Sequence, residues 1–94
     1  MYIIKRDGTV VLFDKNKIIN AINKAFIEVD GQLYENDTAI DIANDIEKWM
    51  MKCPDGSIEV EDIQDIIEDY LMQSERRDVA RAYIRYRYKK EVAR

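Results

Sequence analysis

Lys5-Arg6-Asp7-Gly8, followed nine residues after the glycine by Lys17, is the pattern in this 94-residue chain best suited to chemistry. Two cations at the end of a strand and a third in the first turn of a following helix could meet one polyphosphate. Lysine would act as a point charge and arginine as a planar fork. Main-chain amides around Asp14–Lys17 add positive potential, with the Asp14 carboxylate competing for them. The same residues also suit ordinary hairpin charges that discourage edge pairing. A short basic pattern alone does not separate the two readings. No GxGxxG and no Walker-type lysine loop occurs, so a nucleotide site here has to grip phosphate with side chains.

The other chemistry-bearing types are less specific. Arg77, Arg81, Arg85 and Lys89 recur every four residues and lay a basic stripe on one helix. Taken alone, that stripe reads as a solvated face with local pairing, such as Arg77 or Arg81 with Asp78. Glu59, Glu61, Asp62, Asp65, Glu68 and Asp69 read as a solvated acidic face, and their spacing fits no calcium loop. Cys53, beside Pro54, reads as a packed or idle thiol. Tyr83, Tyr86 and Tyr88 suit core and rim positions as well as base stacking. Histidine is absent and cysteine occurs once. An internal disulfide, the usual zinc sites and Ser-His or Cys-His catalysis therefore lack their parts, and neither catalytic residues nor metal ligands are expected.

The elements that must position these groups follow from periodicity and punctuation. Residues 2–6 and 9–13 are β-branched and aromatic runs around Asp7-Gly8, which predicts a hairpin with a tight type I′ turn. Asp14 stands where a helix N-cap belongs, and Ile18, Ile22, Ala25, Phe26 and Val29 follow at helical spacing up to a stop at Gly31. A second helix is expected from Asn36 or Asp37, with Ala39, Ile42, Ala43, Ile46, Trp49 and Met50 inward, ending before Pro54. Residues 57–60 alternate as a short strand that joins the hairpin. A third helix, from Glu61-Asp62, buries Ile63, Ile66, Ile67, Tyr70 and Leu71. A fourth, from Arg77, buries Val79, Ala82, Tyr83 and Tyr86. The order ββααβαα gives an α+β fold: a four-helix bundle capped by a small three-stranded sheet, because so little sheet cannot bury four amphipathic helices.

At 47% apolar and 36% charged, the chain reads as one soluble globular domain over residues 1–94, too short for a second core. No apolar run is long enough to span a membrane and the N-terminus lacks a signal-peptide pattern, so a reducing, cytoplasmic setting is expected. The formal net charge of −4 argues against a general nucleic-acid binder. Its distribution is uneven: residues 1–24 carry +3, residues 25–75 carry −13 and residues 76–94 carry +6. If the two basic ends meet in the fold, they could surround a small polyanion.

IIKRDGTVVLFDKNKI resembles the opening signature of the ATP-cone family, and IEVEDIQDIIEDYLMQSERRDVARAYIRYR resembles its closing segment. The two motifs stand in the right order and the resemblance covers essentially the whole chain. Its details are most similar to the cone heading the anaerobic class of ribonucleotide reductase. The resemblance implies a bundle of four helices under a three-stranded sheet, binding ATP or dATP with magnesium between sheet and helices. It implies that Lys5 and Lys17 approach phosphates and base, with Arg6 in the same signature. Phe13, Ile18 and Ile63 would enclose the base, Gln64 would lie near the sugar, and Lys89 would reach phosphate from the last helix. Val60 stands where many cones have Ser or Thr, and Val11 where some have a polar residue, which shifts base recognition toward backbone groups. The implied role is allosteric: a non-catalytic domain controlling activity or oligomerisation of a parent reductase, with its catalytic domain and other cones as partners. The alternatives are the cone of a nucleotide-responsive transcriptional regulator, or a decayed cone serving as a protein-interaction module.

Overall fold

A computed structural model describes residues 1–34 and 37–92. Strands β1 (Tyr2–Ile4) and β2 (Val10–Leu12) lead into helices α1 (Lys15–Asp30) and α2 (Thr38–Met51). Strand β3 (Ser57–Glu59) and helices α3 (Val60–Gln73) and α4 (Arg77–Val92) follow. The observed order is ββααβαα, as the sequence predicts. Asn36, one expected start of the second helix, lies outside the described residues; Asp37 precedes its first turn.

The sheet runs β2-β1-β3, so the first strand is central. β1 pairs antiparallel with β2, placing Ile3 opposite Val11, and parallel with β3, placing Ile3 opposite Ile58. Residues directly opposite one another share a face. Ile58 is buried and Ile3 packs half-buried against the core, so this row is the sheet's inner face. The hairpin turn differs from the type I′ expectation. That type needs positive φ at both central residues, whereas among the described residues only glycines have positive φ, here Gly8 at 88°. Instead Lys5 pairs its amide with the Thr9 carbonyl at 2.8 Å, and the Gly8 amide donates to the Lys5 carbonyl at 2.9 Å. This is a three-residue connection, Arg6-Asp7-Gly8, in which one left-handed glycine is enough.

The ends of α1 carry the predicted caps. The Asp14 carboxylate accepts from the Asn16 amide at 3.0 Å, and Gly31 adopts φ 81° while its amide closes on the Ile27 carbonyl. Between them, Ile18, Ile22, Ala25 and Phe26 form one buried stripe. α2 contributes Ala39, Ile42, Ala43, Ile46 and Met50, α3 contributes Ile63, Ile67 and Leu71, and α4 contributes Val79, Ala80, Ala82 and Tyr83. The helices pack on one another beneath the sheet, as their apolar area requires. α4 touches both α1 and α3, so it buries a broader face than predicted, with alanines allowing close approach.

Two large aromatics expected inside lie at the rim. Trp49 is 39% exposed and Tyr70 is 42% exposed. An indole is rarely covered completely in a core this shallow. The Tyr70 hydroxyl reaches back to the Asp45 carboxylate on α2, an amphipathic placement that raises its phenol pKa. Asp78 pairs with Arg76 rather than with Arg77 or Arg81. Arg76 also grips Asp30 of α1 through both terminal guanidinium nitrogens, and its guanidinium carbon lies 5.6 Å from the Phe26 ring centroid. The turn into α4 is thereby tied to the end of α1.

Two measurements probe these features. A Cβ on Gly31 would meet no atom within 4 Å, so Gly31→Ala isolates the left-handed backbone cost and should lower stability by about 1–2 kcal/mol in denaturant unfolding. Tyr83 is 2% exposed, and burial, followed by the neighbouring Tyr86, pushes its phenol well above the ordinary 10.0. The folded chain keeps this proton where the unfolded chain releases it. The contribution is complete below the unfolded value and is lost as pH climbs from there toward the folded value, at up to about 1.4 kcal/mol per pH unit. Tyr83→Phe should flatten that part of the alkaline stability curve relative to wild type.

Candidate functional site

A pocket of about 420 Å³ opens between the sheet and three of the helices. That volume falls in the range of small-molecule sites. Strand alternation sets its upper wall: Lys5 lies two residues beyond the inward Ile3, so both contribute to the lining, with Val11 from the neighbouring strand. The capped first turns of α1 supply Asp14, Lys17 and Ile18. α3 supplies Val60, Ile63 and Gln64, and α4 supplies Tyr83 and Tyr86, whose ring centroids stand 6.0 Å apart.

The pocket therefore has an apolar floor and a charged mouth. Lys5, Arg6 and Lys17 face one carboxylate, Asp14, among its lining residues. Asp14 is engaged in capping α1. Among the described residues, neither Lys5 nor Lys17 has a carboxylate within 4.0 Å, whereas Arg6 pairs with Glu61 at 3.2 Å. Arg6 also donates from Nη2 to Gln64 Oε1 at 2.6 Å, which explains how Gln64 is tolerated at 7% exposure on an otherwise apolar helix face. The pocket mouth is thus locally positive on a chain of net charge −4.

Of the residues singled out from sequence, Lys5, Arg6, Lys17, Ile18, Ile63 and Gln64 line this one pocket. Phe13 is half-buried against the hydrophobic core and does not line it. Lys89 is exposed on α4 and also stands outside the lining. Val11 and Val60, the departures from the family pattern, both belong to the pocket wall. Sequence reasoning gave Glu61 no role at the site, since it is one carboxylate among many. The signal that could have found it is its place on the α3 turn immediately after β3, if the parallel pairing had been anticipated. Tyr83 and Tyr86 line the pocket as well as packing in or against the core.

Among the described residues, no helix is long and apolar enough to cross a membrane, and no group of three or more His, Cys, Asp or Glu is arranged to hold a metal ion. A family model for the ATP cone domain matches residues 1–92. The chain is 38% identical over 94 residues to the anaerobic ribonucleoside-triphosphate reductase of Haemophilus influenzae, covering 98% of this chain and 13% of that protein. It is 42% identical over 98 residues to the vitamin B12-dependent ribonucleoside-diphosphate reductase of Thermoplasma acidophilum, covering 98% and 12%. It is 30% identical over 95 residues to the anaerobic ribonucleoside-triphosphate reductase of Escherichia coli, covering 99% and 12%. The chain thus spans only about an eighth of the length of these relatives. With residues 1–92 matched by the family model and its two motifs meeting at one pocket, the chain belongs to the ATP-cone family.

Proposed function

We propose that this cone is a regulatory nucleotide-binding domain of a ribonucleotide reductase, taking ATP or dATP into the pocket between sheet and helices. The observation that supports this most is the convergence of Lys5, Arg6 and Lys17 on the mouth of a cavity floored by Ile18 and Ile63. The cations meet the triphosphate, the apolar residues sandwich the base, and Gln64 stands by the sugar. Because the Gln64 oxygen already accepts from Arg6, its amide nitrogen is the group that donates toward the ligand. Magnesium would accompany the nucleotide on its phosphate oxygens, a common mode for this ion.

The domain binds and does not react. Its effect on a parent enzyme is linkage: ATP and dATP must bind two states of the assembly unequally, whether those differ in cone–cone contacts or in docking on the catalytic domain. One 2′-hydroxyl distinguishes the effectors, a hydrogen bond worth about 1 kcal/mol, so amplification falls to the oligomer.

Thermal unfolding and calorimetry with both nucleotides test the reading. A ligand at 100 times its dissociation constant adds about 2.7 kcal/mol of stability. Lys17→Ala, which removes a charge-assisted contact, should weaken ATP roughly tenfold or more while the domain stays folded. Lys89→Ala, outside the pocket lining, should change affinity by less than about twofold; a loss equal to that of Lys17→Ala would extend the phosphate path to α4. No stabilisation by either nucleotide ends the proposal.

A further inference from the structure

Arg6 is the most shielded cation of the pocket mouth, with a side chain only 12% exposed. Two α3 side chains hold it. Its Nη2 donates to Gln64 Oε1 and its Nε donates to Glu61 Oε1, a carboxylate that is itself 51% exposed. Arg6 also borders a second cavity of about 200 Å³, walled by Ile4, Glu59, Val60 and Glu61 as well as Lys5. Glu61 lines this smaller cavity and not the larger one. Arg6 thus borders both cavities, while its carboxylate partner borders only the smaller one.

We infer that Glu61 is an internal competitor for the ligand's phosphate: its carboxylate occupies Arg6 in place of an anionic oxygen, and the nucleotide binds by exchanging with it. The inference rests on the nucleotide-binding reading above and adds a residue that sets its affinity.

Three features make Glu61 the exchangeable partner. A shielded guanidinium is costly to leave without an anion, so Arg6 needs a partner at every stage. Glu61, half in water, loses little by returning to full hydration, and in the first turn of α3 its charge still meets the favourable end of the helix dipole. The Gln64 bond runs from the guanidinium to a neutral amide oxygen, so it puts no second anion on Arg6 and can persist, keeping the guanidinium plane oriented while its other donors change partner. Lys5 and Lys17 have no such carboxylate among the described residues. The competition is therefore concentrated at Arg6. Bound phosphate and paired Glu61 would place like charges on one guanidinium, which disfavours holding both.

Calorimetry of ATP binding to the 94-residue chain, to Glu61→Gln and to Asp62→Asn tests the exchange. Asp62 carries the same charge one residue on, is exposed and lines neither cavity. Glu61→Gln should tighten ATP about three- to tenfold, and Asp62→Asn should shift it by less than about twofold. In NMR spectra of the wild type, the Arg6 Nε–H resonance should move on ATP saturation as its partner changes. Equal effects of the two substitutions, or an Arg6 resonance unmoved by bound ATP, overturn the exchange and leave the nucleotide site standing. Failure of both wild type and Glu61→Gln to bind ATP removes the site and the exchange together.

Discussion

The parallel pairing of β1 with β3 is the contact on which the site depends. It sets Ile4 opposite Glu59, so the residues leaving β1, Lys5 and Arg6, emerge beside those entering α3, Val60, Glu61 and Gln64. Groups more than fifty residues apart in the chain become hydrogen-bonding neighbours through a ladder of three residue pairs. The intervening segment is long enough for the crossover that parallel strands require, and it carries α1 and α2. A slip of one position would turn the Ile3–Ile58 row away from the core. Burial of that row is therefore what fixes the position of the cationic mouth.

Charge is divided on a different plan from the one the linear distribution suggests. The basic C-terminal segment meets the acidic middle of the chain rather than crowding the pocket. Arg76 pairs with Asp30, Arg85 with Glu28, and Arg87 with both Asp65 and Glu68. These half-exposed pairs contribute little stability individually, but they orient α4 against α1 and α3. Among the described residues, the pocket's cations come from the first segment. On the proposed reading, an incoming polyanion meets a small positive mouth set in a negative molecule. That arrangement favours a compact ligand over an extended one.

Local signals made much of the fold legible. Asp14 and Gly31 act at the ends of α1 as their chemistry dictates, and the helical stripes were readable because one face of each helix had to be apolar. What escaped was set by tertiary pairing. The turn at Asp7-Gly8 has two closures compatible with its sequence, and the strand register selects the one with a single left-handed residue. Trp49 and Tyr70 have core-like spacing, but spacing says nothing of how deep the core is. Gln64 is a polar residue on a buried face, and the Arg6 that satisfies it comes from the far end of a tertiary pairing that local spacing does not show. Six of the eight candidate positions that the family resemblance implies line one pocket, while Phe13 lies in the link between β2 and α1 and Lys89 further along α4, both outside that lining.

The pocket draws on the sheet, α1, α3 and α4, while α2 contributes none of its lining. A ligand seated there would strengthen contacts among the first group and leave α2 attached chiefly through α1, with a smaller contact on α3. Its outer surface carries Ile40, Trp49 and Met51, all exposed. If the bound and free states differ in how tightly α1 and α3 are held, that difference reaches α2 through buried packing at Ile42, Ile46 and Met50 rather than through direct contact with the nucleotide. Close-packed interiors transmit such displacements because side chains cannot absorb them freely. On the proposed reading, the bundle itself would offer the route from this pocket to a neighbouring domain, with a strength limited by the differential affinity of the ligand for the two arrangements.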